Sequence, residues 1–359
     1  MKNGVKNKMK GITAKIKGIK YMPLLCRELH HFSFEDLDKA LEKDATFILE
    51  IDKKNRIALS WWVSAKRTRS YPYARIYDSL SFTGKKVTII PVIKDEGQEG
   101  DRDFLQWDTI SLMSLLGVYV IVGYYKDAIK STQYENKITE QRFNIPYIKN
   151  QINKLLSYQS DALHWNLSQI DDIAEIGRTA LQSYDKISKR LSIEFHDKKS
   201  AENRINELKK GKEAFMALSR TLAEKAQKRE SATIQPKEKL DGTKTTITIR
   251  NYLGGNYYFT SDEIQLWDDK LSIIDAKHTK ENKLPSLGDI KDGLLKMILF
   301  TNLEDVKLGD KKVKPIPVLK LTTGNKFNIK NIKGSEKRLF NLLNRESEAN
   351  KFRIVINDN

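Results

Sequence analysis

The spacing of hydrophobic residues changes near residue 242, and this change limits the folds that the chain can adopt. Before it, in residues 147–230, apolar side chains recur every three or four positions, which predicts helices that bury one face. After it, Thr and Ile alternate in residues 243–250, and further strand-like stretches follow at 257–267 and 271–277. Because successive side chains of a strand point to opposite faces, this period of two predicts three consecutive strands.

Elements on either side of these strands complete the predicted organisation. A helix at about 287–302 and a strand at 316–321 follow, which gives the order helix, three strands, helix, strand. In the first half, runs rich in apolar and β-branched residues predict strands at 57–63, 87–93 and 118–125 and a helix at 105–116. We therefore expect an α/β (α+β) protein with an N-terminal mixed α/β lobe (1–145), a helical segment (146–235) and a C-terminal domain (236–359).

The charge of the chain indicates the kind of partner that it binds. There are 64 Lys and Arg against 47 Asp and Glu, a formal net charge of +17. Such an excess attracts polyanions, of which nucleic acid is the commonest. The single cysteine, Cys26, excludes an internal disulfide framework and a Cys-based zinc cluster. No Walker or dinucleotide-binding glycine motif is present, so the sequence does not support an ATP-driven motor.

The sequence also bears on where the protein acts. No stretch approaches the roughly 18 apolar residues that a membrane-spanning helix needs, and the lysine-rich N-terminus lacks the apolar core of a secretion signal. We expect a cytoplasmic protein that does not bind membranes. Residues 1–20 contain seven lysines and no acid. They are either a basic arm that follows DNA phosphates or a solvated, frayed terminus.

The second and third predicted strands of the C-terminal domain form a hairpin that carries a group of charged residues. Asp262 is placed at the start of one strand, residues 268–269 make the turn, and the next strand ends in Asp275 and Lys277. Alternation puts Asp275 and Lys277 on one face of their strand. The tight hairpin brings Asp262 alongside this pair.

These residue types suit metal-assisted hydrolysis. Asp262, Asp275 and the backbone carbonyl of Ala276 offer oxygen ligands, which a hard divalent cation prefers. Lys277 then lies where it can orient an attacking water or help to deprotonate it, while the metal lowers the pKa of that water. The residues therefore predict a metal-dependent hydrolytic site on the hairpin.

This arrangement resembles the PD-(D/E)XK nuclease superfamily. Asp262 matches the first acid, preceded by Ser261 where the family often has proline. Asp275 and Lys277 match the second acid and the lysine, with Asp in place of the commoner Glu. The gap of 13 positions (275 minus 262) and the order of elements agree with that family's αβββαβ core. The resemblance covers roughly residues 205–325 and implies a restriction-endonuclease-like core in the C-terminal half.

The resemblance implies a function as well as a fold. It implies a Type II-like restriction endonuclease that uses Mg²⁺ to hydrolyse phosphodiester bonds in double-stranded DNA at a specific sequence. Catalysis would rest on Asp262, Asp275 and Lys277, with Mg²⁺ bound by Asp262, Asp275 and the Ala276 carbonyl. It further implies a cognate DNA methyltransferase as partner, and a homodimer fits a reaction on two strands.

Two other functions remain open on the sequence alone. One is a repair or recombination nuclease of the same superfamily with loose sequence preference. The other is a non-catalytic DNA-binding protein whose hairpin charges face water or whose nuclease core has decayed. The large N-terminal half favours the restriction endonuclease, since reading a DNA sequence requires surface beyond a minimal nuclease core.

Contacts with DNA are predicted in two places. The first is a run of cations and tyrosines after Trp61-Trp62, made up of Lys66, Arg67, Arg69, Tyr71, Tyr73 and Arg75. Its alternative is a cationic loop whose tyrosines pack inward. The second is the helix that follows the hairpin, where Lys291 and Lys296 would contact phosphates or simply form a charged helix surface.

Several other charged residues have less defined roles. A further acid from the helix before the strands would be Glu213 or Glu224. The acids of residues 95–108 form a second metal site, a structural network or a loop that pairs with the basic run. The absence of a lysine at D-x-K spacing there favours the network or the loop over the metal site. Glu263 and His278 are predicted to face away from Asp262 and Lys277 respectively.

Overall fold

The structure is a computed structural model that describes residues 11–64, 71–208, 217, 221, 243–251, 256–324 and 327–357. Its strands are β1 Ile12–Ile16, β2 His31–Ser33, β3 Thr46–Glu50, β4 Arg56–Trp61, β5 Lys85–Pro91, β6 Ile93–Asp95, β7 Arg102–Phe104, β8 Val118–Gly123, β9 Tyr125–Lys130, β10 Ile138–Phe143, β11 Thr243–Asn251, β12 Asn256–Trp267, β13 Lys270–His278, β14 Glu304–Leu308, β15 Lys311–Lys312, β16 Lys314–Thr322 and β17 Arg353–Ile356. Its helices are α1 Leu37–Lys43, α2 Tyr71–Ser79, α3 Trp107–Leu115, α4 Ile145–Leu156, α5 Ala162–Asp171, α6 Ile173–Leu191, α7 Lys198–Leu208, α8 Leu287–Phe300 and α9 Gly334–Asn350. Within these described ranges, no helix has both the length and the apolar character needed to cross a membrane.

The chain divides into two compact units. One joins Met1–Leu25 to Thr221–Asn359, and the other is Cys26–Arg220. This division differs from the three parts expected from the sequence. Helices α4 to α7 belong with the first mixed α/β region, because α5 packs on β8 and α6 packs on β9.

The unit Cys26–Arg220 is built on a five-stranded sheet with the order β2-β3-β4-β5-β8. Strands β3 and β4 are antiparallel, and the other neighbours are parallel. The predicted strands at 57–63, 87–93 and 118–125 correspond to β4, β5 and β8. Helices α3, α4 and α5 contact β8, whose residues are almost all buried. This burial explains the continuous apolar runs, since parallel strands are covered on both faces.

The other unit contains an eight-stranded sheet with the order β15-β14-β1-β11-β12-β13-β16-β17. Strands β11, β12 and β13 form an antiparallel meander. Strand β16 then pairs with β13 in parallel, after a crossover through helix α8. The three predicted strands, the helix and the following strand are therefore present, with the additional hairpin β14–β15 between α8 and β16. Together with the first sheet, this arrangement confirms a mixed α/β protein.

Part of the lysine-rich N-terminus belongs to this sheet. Strand β1 lies between β11, to which it is parallel, and β14, to which it is antiparallel. Ile12, Ala14 and Ile16 are buried, while Lys15 reaches Asp305 at 2.9 Å. The interpretation of residues 1–20 as a free arm or a frayed end was therefore wrong for the strand, whose alternate apolar residues enter the core.

Helix α8 packs against the sheet next to the β12–β13 hairpin. It begins after Ser286, whose hydroxyl accepts a hydrogen bond from the Asp289 amide at 3.2 Å and so caps the first turn. Every residue from Ile290 to Phe300 except Lys296 is buried, and the helix contacts both β13 and β16. A helix buried on so many sides must find partners inside the protein for any charge that it carries.

Candidate active site

A β-bulge in strand β12 determines where Asp262 lies. Strand β11 pairs Thr245 with Ser261 and Thr243 with Ile264, so two steps along β11 oppose three steps along β12. The extra residue falls between Ser261 and Ile264, in the stretch that contains Asp262 and Glu263. A bulge bends the strand locally and re-aims a side chain. Asp262 therefore lies inside β12 at an irregularity, and not at the start of the strand as the sequence suggested.

Side-chain hydrogen bonds bind the bulge to strand β13. The Ser261 hydroxyl donates to the carbonyl oxygens of Glu263 at 2.7 Å and Ile274 at 2.8 Å. The Asp262 carboxylate accepts from the Ala276 backbone amide at 2.9 Å. Together these bonds hold the first acid against the strand that carries the second acid and the lysine.

Asp275 and Lys277 lie side by side on strand β13. The ammonium nitrogen of Lys277 is 3.1 Å from Oδ2 of Asp275. The Asp275 side chain is completely buried, and that of Lys277 is 13% exposed. Ionised groups this far from water are stable only when opposite charges and hydrogen bonds compensate for the lost hydration.

Helix α8 supplies that compensation through two residues one turn apart. Asp292 forms an ion pair with Lys277, and Lys296 forms an ion pair with Oδ1 of Asp275. Residues four apart on a helix share a face, so both side chains reach the same part of the sheet. The result is a network of three carboxyl groups, with Asp262 included, and two ammonium groups.

Gly293 allows the helix to approach the sheet this closely. A Cβ atom at this position would lie 2.6 Å from Cδ1 of Leu319 and 3.2 Å from Cε of Lys277. Leu319 is the register partner of Asp275 on the neighbouring strand β16. The absence of a side chain at residue 293 is therefore what brings Asp292 and Lys296 within reach of strand β13.

The two hairpin carboxyl groups have opposite pKa shifts. Burial and, after it, the negative charge of Asp275 together raise the pKa of Asp262 to about 6, against the opposing effect of Lys296. Burial also disfavours ionisation of Asp275, but the adjacent Lys277 and Lys296 outweigh it and hold the pKa of Asp275 below its usual range. The two acids are thus close enough to repel each other.

Both lysines are held in the charged form. Burial acts to lower the pKa of Lys277 and Lys296, but the carboxylate of Asp275 and its neighbours raise the pKa of each above the ordinary value for lysine. With all five groups ionised, the three carboxylates exceed the two ammonium groups by one negative charge. The site therefore carries a residual negative charge in a buried setting.

This residual charge and the donor set fit a divalent cation. Two carboxyl groups that repel each other are stabilised by a shared cation, and oxygen donors are what Mg²⁺ prefers. Oδ2 of Asp275 is buried and makes no hydrogen bond within the described residues; the Lys277 ammonium group approaches it only as an ion-pair partner. The described residues contain no group of three or more His, Cys, Asp or Glu side chains arranged to hold a metal. Any metal would thus depend on the two hairpin acids and backbone oxygen.

The two lysines of helix α8 that the sequence assigns to phosphate contacts are less exposed than expected. The sequence suggested an exposed helix face, yet Lys291 is 3% exposed and the Lys296 side chain 17% exposed. Burial of the helix on the sheet removes both from an open surface. The expectation of a DNA-contacting face at these two lysines is corrected accordingly, and Lys296 instead joins the candidate site.

The basic run after Trp61-Trp62 is described only in part. Lys66, Arg67 and Arg69 lie outside the described residues, and Tyr71 is described only as the first residue of α2. Tyr73 is 4% exposed and packs edge-on against Trp62, with ring centroids 6.2 Å apart. Arg75 stacks over the ring of Trp61 at 4.4 Å and donates to its carbonyl oxygen. For Tyr73 the packing matches the inward-facing alternative, and its use in DNA contact is corrected. Arg75 is only partly buried, so its contact with DNA stays a prediction.

The acids of residues 95–108 take part in local contacts. Asp95 accepts from the Gly97 amide at 3.0 Å and lies 2.7 Å from Nδ1 of His196. Asp103 accepts from the Ser64 hydroxyl at 2.6 Å. These contacts are those of the structural network, one of the two alternatives that the sequence favoured. Glu213 and Glu224 lie outside the described residues.

Residues that flank the site face elsewhere. Glu263 is fully buried and lies 3.6 Å from Lys320, and His278 lies 2.9 Å from the Thr322 hydroxyl. Sequence reasoning missed the roles of Asp292 and Lys296. The signal was available, because Lys296 interrupts the apolar run of residues 294–300 and Asp292 lies four positions before it.

Comparisons of this chain with protein-family models, with curated proteins and with solved structures find no significant match.

Proposed function

We propose that this chain is a Mg²⁺-dependent endonuclease that hydrolyses phosphodiester bonds in double-stranded DNA, of the Type II restriction kind. The observation that carries the proposal is the group formed by the buried Asp275 and the partly buried Asp262 and Lys277, in which the Lys277 ammonium lies 3.1 Å from the Asp275 carboxylate. Two acids and a lysine in this order on a hairpin are the residues by which the chain resembles the PD-(D/E)XK nucleases.

The order of elements around the hairpin supports the same proposal. An antiparallel meander of three strands, a helix packed on it, and a strand parallel to the third are the βββαβ part of that family's core. The net charge of +17 suits a polyanionic substrate. A cognate DNA methyltransferase, a homodimer and a cytoplasmic location belong to the proposal as further expectations.

Each residue of the site would have a separate task. Asp262 and Asp275, with the Ala276 carbonyl, would hold the cation, which when bound supplies a more acidic water and neutralises charge on the phosphate. Lys277 would orient the attacking water and donate towards the developing negative charge. Asp292 fixes the Lys277 side chain from the helix, so the ammonium group is positioned before substrate arrives.

The alternative is a non-catalytic DNA-binding protein, and one observation favours it. Lys277 and Lys296 together neutralise Asp275 without any metal, as they would in a site that has only a structural role. A repair or recombination nuclease of the same superfamily is the third candidate, and it differs in sequence specificity only.

Incubation of the protein with supercoiled plasmid and Mg²⁺ separates these functions. The proposal predicts discrete fragments that disappear when EDTA removes the metal. Smearing or progressive loss of ends would indicate the repair nuclease. Plasmid that shifts in a gel at low salt but stays whole would contradict a nuclease. Lys277→Ala should abolish cleavage and leave the gel shift intact; cleavage at the wild-type rate would show that the lysine has another role.

A further inference from the structure

We propose that Lys296 competes with a divalent cation for the carboxylate of Asp275, as a tethered counter-ion that leaves this carboxylate when the cation binds. The competition rests on the proposed function, because the cation is the one that the proposed nuclease uses. In the metal-free chain, Lys296 stabilises a completely buried acid. In the metal-bound chain, the cation would take over that task.

Both oxygens of Asp275 already have a cationic neighbour. The ammonium group of Lys296 contacts Oδ1, and that of Lys277 lies 3.1 Å from Oδ2. A divalent cation that binds this carboxylate is repelled by each of these charges at contact distance. Binding therefore requires that one of the two lysines withdraws.

The contacts of the two lysines identify Lys296 as the one that withdraws. Lys277 has two ion-pair partners among the described residues, Asp275 on its own strand and Asp292 on the helix. Lys296 has one, Asp275. Loss of the Asp275 contact thus leaves Lys277 still paired through Asp292. Lys296, on the helix, is thus the ammonium group with fewer ion-pair contacts, although Asp262 and Asp292 also stabilise its charge from further away.

Lys296 also has a route out of the site. Its side chain is 17% exposed, whereas the carboxylate that it contacts is completely buried. A lysine side chain is a flexible four-carbon stem with a strongly hydrated end, so it can reach water without any movement of the helix backbone. Once displaced from Asp275, the Lys296 ammonium group would lie in water at the edge of the site.

The competition predicts a change in metal affinity that is measurable without DNA. An opposite charge in contact with a carboxylate, as Lys296 is with Asp275, changes the proton affinity of that carboxylate by about 10- to 1,000-fold. Cation binding depends on the same electrostatic interaction. In Lys296→Met, Mn²⁺ should therefore bind roughly tenfold or more tightly than in the wild type, as measured by isothermal titration calorimetry. Lys296→Arg keeps the charge and should bind Mn²⁺ as the wild type does. Unchanged or weaker Mn²⁺ binding by Lys296→Met would overturn the proposal.

Lys320 provides a matched control. It is a buried lysine of the same unit, 7% exposed at its side chain, and it pairs with the fully buried Glu263 rather than with Asp275. Lys320→Met also removes the charge of a lysine with little exposed surface, so a general effect of losing such a lysine would appear in both variants. The proposal predicts tighter Mn²⁺ binding in Lys296→Met alone.

Thermal unfolding tests the competition even if Lys296→Met is poorly folded without metal. The variant leaves Asp275 with one ammonium neighbour fewer, so Mn²⁺ should raise its Tm by more than it raises that of the wild type. An equal or smaller rise would contradict the competition.

The outcomes distinguish this proposal from the proposed function. Wild-type cleavage of plasmid together with unchanged Mn²⁺ affinity in Lys296→Met would refute the competition and leave the nuclease intact. Tighter Mn²⁺ binding in the variant, with no cleavage by the wild type, would support the competition and refute the nuclease. Failure of every variant to bind Mn²⁺ would refute the competition whatever the plasmid shows.

Discussion

Asp292 of helix α8 binds the ammonium group of Lys277 on strand β13, across the interface between the helix and the sheet. Lys277 is thereby held between two carboxylates, Asp275 at 3.1 Å and Asp292. A lysine side chain alone has many rotamers of similar energy, and two ion pairs restrict it to one. The position of the ammonium group is thus determined by the helix as much as by the strand.

Asp292→Asn should lower the cleavage rate with little change in DNA affinity. The amide keeps the shape of the side chain but loses the charge that holds Lys277, and a misplacement of about 1 Å at a reacting group can cost on the order of 100-fold in rate. Single-turnover cleavage of plasmid measures the effect. Asp289→Asn, on the first turn of the same helix, is the control and should cleave like the wild type. A wild-type rate in Asp292→Asn would mean that Lys277 does not depend on Asp292.

Gly293→Ala should destabilise the protein because the new methyl group meets Leu319. The Cβ atom would lie 2.6 Å from Cδ1 of Leu319, so the helix must move away from the sheet. Overpacking of this kind costs about 1–3 kcal/mol in the free energy of unfolding, which urea denaturation measures.

Gly288→Ala is the matched control on the same helix. The nearest atom to its Cβ would be the Ser286 hydroxyl oxygen at 3.8 Å, an ordinary contact. Alanine forms helices better than glycine, so this variant should be neutral or more stable by up to about 1 kcal/mol. Equal stability changes in the two variants would contradict the close approach of helix and sheet at Gly293.

Glu346→Ala should weaken the attachment of the N-terminal segment to helix α9. Glu346 is fully buried and accepts hydrogen bonds from the Tyr21 hydroxyl at 2.8 Å and from the amides of Leu24 at 2.8 Å and Leu25 at 3.1 Å. Each buried donor left without an acceptor costs about 1–3 kcal/mol, so we expect a loss of at least about 2 kcal/mol in the free energy of unfolding. Urea denaturation of Glu346→Ala measures this loss.

Two further variants test whether the effect belongs to these hydrogen bonds. Glu346→Gln keeps one acceptor oxygen and should lie between the wild type and the alanine variant. Glu348→Ala removes an exposed acid from the same helix and should leave stability unchanged. A similar loss in Glu346→Ala and Glu348→Ala would argue against a buried acceptor at residue 346.

The sequence predicts those features that depend on neighbours in the chain. Alternation from residue 243 onward indicates strands β11, β12 and β13, and Ser286 marks the start of helix α8 through its capping hydroxyl. The turn at Asp268 and Asp269 follows from two acids between apolar stretches, and Asp268 has a positive φ of 56° there. These patterns are local, so one sequence is enough to read them.

Features that depend on distant residues could not be predicted in the same way. The bulge at Asp262 is a property of the register between β11 and β12, which no local pattern encodes. Strand β1 reads as part of a basic tail because its partner, β11, is far along the chain. Lys296 reads as a surface charge until helix α8 is seen to be buried against the sheet.

The most direct test of the proposed function is the cleavage rate of Asp275→Asn in Mg²⁺, compared with that of Asp269→Asn. Both changes remove one carboxylate from the same hairpin, but Asp275 is completely buried in the site and Asp269 is exposed in the turn. The proposed nuclease predicts that Asp275→Asn binds DNA without cutting it, whereas Asp269→Asn cuts at the wild-type rate. Cleavage by Asp275→Asn at the wild-type rate would contradict a nuclease site on this hairpin.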